Sequence, residues 1–319
     1  MNTENHLDTI IFAPVENLLL PIDAVTRALF PFSKAKLDAT ISKGKEKFDA
    51  QIKEGRAKVK GKRQPVESAL RLDCKYPLNL FDKAVLVAVA SEYSAGNTTT
   101  TINRICKLLG GSRYIGEKFK AAVVNSISKL LLTKLTINTA DEVQARYSGK
   151  QVTVMTAALL STETVIRKNG GHIDESAIHI LAQSPIITIS ENKRQIARIP
   201  LKVFEGRKSR LTENIVALQI YLLERAATIS YSNSDNKSKR AKKLSTTILF
   251  DSLYNICEFG KVNRWQRQDI RANVAIILDT FKNNDVISGW EFIKLDGVSN
   301  ADSYHGIKIL PAKNAALEE

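Results

Sequence analysis

The feature that most restricts how this chain can fold is an order of segments that occurs twice. Leu80 to Tyr93 reads as a buried helix, with Asn79 placed to cap it and Gly96 to stop it. The Thr98 to Thr101 run caps a short helix, Ile102 to Leu109, which ends at Gly110-Gly111. A third helix begins near Tyr114 and carries Phe119, Val123, Ile127, Leu130 and Leu131 on one face. Extended segments follow: Leu135-Thr136-Ile137, Val152-Thr153-Val154, Thr164-Val165-Ile166, Ala177 to Ile180 and Ile186 to Ile189, all rich in β-branched residues. The order then recurs. Leu211 to Ile229 is amphipathic, Thr246 to Cys257 is a second helix with Ser245 as its expected cap, and Gly260 with Val262-Asn263 makes a turn. Arg264 to Phe281 is the third helix of this set. Trp290 to Leu295 and Tyr304 to Ile309 alternate as strands around a turn rich in Asp, Gly, Ser and Asn, which predicts a β-hairpin.

A different kind of segment precedes both sets. In the first 32 residues, apolar clusters are divided by Pro14, Pro21 and Pro31, so short helices are expected there. Lys34 to Gly44 is then followed by Lys45 to Gly55 with six of eleven positions identical, and a degenerate third copy starts at Arg56. Apolar residues fall at 37, 41, 48, 52 and 59, an 11-residue period that draws a narrow apolar stripe along a helix. Residues 33–63 hold 11 Lys or Arg against 4 acids. Such an arm suits an anionic membrane surface, a partner helix or DNA phosphates, and Gly44, Gly55 and Gly61 equally suit a solvated linker.

Charge narrows the partners. The 319 residues carry 47 Lys and Arg against 33 Asp and Glu, a net charge of +14, which attracts polyanions. The longest apolar runs fall far short of the roughly 20 residues needed to cross a bilayer, and no basic n-region precedes an apolar stretch at the N-terminus. A cytoplasmic location is expected. Cys74, Cys106 and Cys257 are far apart and in no CxxC spacing, so buried thiols are expected rather than disulfides or a zinc site. His6, His172, His179 and His305 form no metal-binding spacing. The phosphate-loop, dinucleotide and nucleophile-elbow patterns are all missing, so neither catalysis nor a cofactor is expected.

Three helices followed by a sheet is the order of a winged helix. The expected fold is therefore α+β: a basic helical N-terminal arm over 1–69, a first winged-helix-like domain with an extended sheet over 70–200, and a second over 201–319. In helix-turn-helix docking the helix after the turn enters the major groove, and its first turns face the base edges. In the second domain those turns supply Arg264, Gln266, Arg267, Gln268 and Arg271, and Arg suits guanine while Gln suits adenine. Trp265, among them, is expected to pack into the core. The loop holding Lys237, Lys239, Arg240, Lys242 and Lys243 suits phosphate contact or ordinary solvation. Lys261 and Lys294 flank the hairpin. In the first domain Arg113, Lys118 and Lys120 take the corresponding place, with phosphate contact or a dimer interface as their expected use.

On the helices Leu80 to Tyr93, Tyr114 to Leu132, Leu211 to Ile229 and Arg264 to Phe281, with the hairpin Trp290 to Ile309, residues 70–312 resemble the tandem winged-helix replication initiators of bacterial plasmids. The resemblance implies double-stranded DNA as partner, dimerisation through the first domain, contact with other replication proteins and no intrinsic catalysis. The N-terminal arm departs from that family pattern. A transcriptional regulator and a scaffold or peripheral membrane protein using the arm remain the alternatives.

Overall fold

The computed structural model describes residues 12–23, 26, 29–30, 58–59, 62–63, 69–73, 77–111, 114–138, 155–169, 172–192, 194–204, 211–233, 245–257, 259–294 and 304–312. The fold is α+β, and it is organised around α1, Leu80–Ser94. Asn79 Oδ1 accepts from the Asp82 amide at 3.0 Å while Asp82 Oδ2 accepts from the Asn79 amide at 2.9 Å, a reciprocal cap that fixes where the helix starts. Gly96, at φ +91°, lets the chain leave it. Every residue from Leu80 to Glu92 is buried, so α1 is covered on all sides rather than along one stripe.

Around α1 the first set of elements is assembled. Thr99–Thr100 (β5) precedes α2, Ile102–Gly110, whose N-cap Thr101 accepts from the Arg104 amide at 3.1 Å. Next come α3, Glu117–Leu132, and the hairpin of β8, Ser161–Asn169, with β9, His172–Ala182. The sheet order is β5-β9-β8, all antiparallel, so the short strand after α1 is joined to the hairpin through its second strand. Between α3 and β8 the chain adds β6, Lys134–Asn138, and β7, Met155–Ala158, which form a separate sheet with β4, Ala69–Asp73.

The second set repeats this connectivity. α5, Glu213–Asn233, is followed by β11, Thr247–Leu249, then α6, Phe250–Ile256, and α7, Arg264–Asn283. The hairpin of β12, Ile287–Lys294, and β13, Tyr304–Pro311, completes a sheet in the order β11-β13-β12. Gly306 of β13 lies where a Cβ would come within 2.5 Å of the Ile248 carbonyl oxygen, so only glycine allows β11 to close on β13. One continuous hydrophobic core joins residues of both sets, among them Leu86, Val123, Ile178, Leu222, Val274 and Ile309. Within that core Lys83 of α1 meets Glu224 of α5, with Nζ 2.9 Å from Oε2 and side chains 0% and 7% exposed.

Several sequence expectations need correction. Residues 186–189 form part of α4, Pro185–Asn192, not a strand. Pro185 occupies the first helical position, where its missing N–H costs nothing, and burial of Ile186, Ile187 and Ile189 overrides β propensity. Leu18, Leu19 and Leu20 lie in β1, Asn17–Pro21, paired antiparallel with β10, Ile196–Pro200, not in a short helix. Both faces of β1 are covered, Leu19 packing with Ala90 and Ile187 while its neighbours enter the main core, which is why the run is continuous rather than alternating. Thr247–Leu249 is a strand as well, because Ile248 pairs with Ile307, and Ser245 therefore precedes β11 instead of capping a helix. Lys58–Val59 (β2) pairs with Lys62–Arg63 (β3), so the third copy of the repeat is not helical there. The first two copies lie outside the described residues. Among the described residues, no helix is long and apolar enough to cross a membrane.

Candidate nucleic-acid interface

The strongest cluster of candidate residues begins at α7. Gly260, at φ +68°, turns the chain after α6, and Asn263 caps α7 by accepting from the Gln266 amide at 2.9 Å. Gln266 returns the contact, its Oε1 accepting from the Asn263 amide at 2.9 Å. Arg264, Trp265, Gln266 and Arg267 are all exposed, Gln268 is half-buried, and Lys261 is exposed just ahead of them. The cations stand at the positive end of the helix dipole, and no acidic residue occupies the first turn. That arrangement costs stability in the free protein and is relieved when an anion arrives, since backbone N–H groups, dipole and side chains all attract it.

Not every expected residue reaches this surface. Arg271 is 7% exposed, with its Nε donating to the Arg267 carbonyl at 3.2 Å and its guanidinium 5.9 Å from the Tyr304 ring centroid. Its burial beside β13 makes it a brace between α7 and the hairpin, not a reader of base edges. Gln266 is limited too, because the oxygen it needs for a bidentate adenine contact is held by its own cap. Gln268 is not held by a cap of this kind, and it lies half-buried beside the exposed Arg267 and Arg264. Lys294 is exposed with Nζ 5.4 Å from the same Tyr304 ring, so the ring gathers Arg271 on the helix side and Lys294 at the hairpin. Lys308 is instead paired with Glu291 across the strands at 2.7 Å.

Trp265 corrects a second expectation. It is 76% exposed, not packed in the core. The core face of α7 is set by Ile270, Val274, Ile277, Leu278 and Phe281. Trp265 lies nine residues before Val274, about two and a half turns, and therefore on the opposite side. That spacing was readable from the sequence; the ordinary preference of tryptophan for burial hid it.

The corresponding part of the first set is less basic. Lys118 is exposed in the first turn of α3, while Lys120 is held by Glu117 at 2.7 Å. Tyr114, ahead of that helix, is 90% exposed and overhangs a cleft shared with Lys118, Phe119, Leu211 and Thr212. Arg113 and the loop residues Lys237, Lys239, Arg240, Lys242 and Lys243 lie outside the described residues. Among the described cysteines, Cys106 and Cys257 are buried and in no disulfide, and burial pushes the Cys106 thiol up to about 12.

No protein-family model and no curated protein matches the chain. Two solved structures are similar to it at low levels. One, of domains 2 and 3 of RctB, is 12% identical with a TM-score of 0.38, covering 80% of this chain and 89% of that one. The other, RctB domains 2–3 over residues 155–483, is 11% identical with a TM-score of 0.40, covering 82% and 92%. Likeness at this level carries no argument about function, which rests on the chain's own residues.

Proposed function

We propose that this protein binds double-stranded DNA without catalysing a reaction, as a tandem winged-helix protein whose role is replication initiation. The observation that carries the reading is the start of α7, where Lys261, Arg264 and Arg267 are exposed together at the positive end of the helix dipole. Their placement is unfavourable alone and favourable against phosphate. The connectivity agrees: in each set a helix, a short strand, two helices and a hairpin follow in turn, with the short strand paired to the hairpin's second strand. In that arrangement α7 is the helix that enters the major groove, Gln268 and Arg267 face base edges, and Lys294 lies at the adjacent hairpin. Lys118 supplies a weaker phosphate contact at α3. Having two such units in one chain suits binding at repeated sites.

Selection of bound duplexes from a random pool at near-physiological salt tests the reading. Enrichment of a defined site is expected. Arg267→Ala should weaken binding and lower the slope of log K against log salt by about 1 if its contact is to phosphate, or relax one base position if it is to guanine. Gln268→Ala should relax preference at one base pair, each such pair contributing about 1–3 kcal/mol of discrimination. No enrichment, together with binding insensitive to salt, would overturn the assignment.

A further inference from the structure

We infer that Trp265 stacks on a base that has left the duplex stack, so that the protein prefers DNA that is locally open or easily opened. The inference rests on the proposed DNA contact of α7 and names what its exposed aromatic group recognises. Trp265 is 76% exposed on the face of α7 opposite the core, and it makes no ring contact among those found for the described residues. The chain's other tryptophan behaves differently: Trp290 donates its indole N–H to Asp279 at 2.9 Å and packs edge-on against Phe292 with ring centroids 4.9 Å apart. A large apolar ring left bare at the end of a well-capped helix is placed for a ligand.

The surroundings select that ligand. Trp265 is bracketed in sequence by the exposed polar residues Arg264, Gln266 and Arg267. The cations of this turn stand with no acidic residue among them, which favours a polyanionic ligand. A nucleobase offers an apolar π-face attached to a phosphate, matching an exposed aromatic ring in a helical turn that also carries exposed guanidinium groups. Inside a closed duplex both faces of each base are covered by its neighbours. Full overlap with an indole therefore needs an unstacked step, which is least costly at flexible pyrimidine–purine steps or where bases are unpaired. A second exposed aromatic stands at the start of the equivalent helix in the first set: Tyr114 is 90% exposed, ahead of α3 and its exposed Lys118. Both helices that would face DNA thus lead with a bare ring beside a cation.

The test uses the full chain with two fluorescently labelled probes of the same mixed sequence, one fully paired and one carrying a central block of mismatched thymines. Wild type should bind the mismatched probe about tenfold more tightly, and Trp265→Ala should erase that preference while leaving affinity for the paired probe within about twofold. Trp265→Phe should retain part of the preference. In a Trp290→Phe background, where Trp265 is the sole indole, its emission should be quenched on binding the mismatched probe. Equal affinity of wild type for the two probes, or unchanged emission on binding, overturns this inference while leaving the DNA assignment standing. Binding of neither probe by wild type overturns both. A normal preference in Trp265→Ala also overturns it.

Discussion

Replacing one partner of the Lys83–Glu224 pair should be among the most damaging single changes to this fold. The pair joins α1 to α5 in the shared core, its atoms 2.9 Å apart with Lys83 fully buried and Glu224 nearly so. Lys83 Nζ and Glu224 Oε1 nevertheless have no partner in hydrogen-bonding geometry. Coulomb attraction therefore offsets only part of the cost of taking both charges out of water. Lys83→Met strands the carboxylate and Glu224→Leu strands the ammonium, and each should cost about 3–5 kcal/mol. For a chain of this size that corresponds to a fall in Tm of roughly 4–8 °C. The double variant carries no stranded charge and fills the same space with apolar atoms. It should be close to wild type, or more stable, and in any case at least about 3 kcal/mol less destabilised than the sum of the singles. Urea denaturation of the four proteins, read by far-UV circular dichroism, closes the cycle. Additive effects, within about 0.5 kcal/mol, would refute the argument, since they would mean that the two charges do not compensate each other.

Three further outcomes are expected. Burial pushes the Asp82 carboxyl above its ordinary 3.8, against the opposing pull of Lys129 and the cap from Asn79. The folded protein therefore holds this proton more tightly than the unfolded chain, and stability should fall as pH rises from 3.8 through the raised value; urea midpoints across the acidic range should lose that component in Asp82→Asn. Gly306→Ala should cost about 1–3 kcal/mol, because its Cβ meets the backbone of β11 rather than a side chain that can swing away, and a thermal melt with Tm near wild type would contradict it. Cys106, with no exposed surface and its thiol pushed up to about 12, should resist maleimide in the folded protein and react once unfolded, as read by peptide mass spectrometry.

What could be read from the sequence depended on whether the deciding interactions were local. The starts of α1 and α7 are set by contacts three residues apart, Asn79 with Asp82 and Asn263 with Gln266; the first was read as a cap, while α7 was located by the turn at Gly260 and Val262-Asn263. The strand at Leu18 to Leu20 is decided by residues 196–200, far along the chain, and nothing local reports that pairing. Ile186 to Ile189 has strand composition, but Pro185 and the burial of three isoleucines turn it into a helix. At the candidate interface the basic octet was legible, whereas its division of labour was not. Arg271 and Lys294 are sorted by Tyr304, which reaches them from a strand beyond the hairpin turn. Gln266 is sorted by its own helix cap, and that could have been anticipated from the Asn263-x-x-Gln266 spacing.

α1 is wrapped on every side, by β1, α2 and α3 from its own half and by α5 from the other. A helix in that position behaves as an axle: the start of α3 and the start of α7 are mounted on one solid body, and their separation is a property of folding rather than of a linker. On the proposed DNA reading, two contact surfaces carried this way would act as a caliper. Any target they grip together must present its two sites at one spacing and one rotational phase, and shifting one site by half a turn of the double helix should release one jaw.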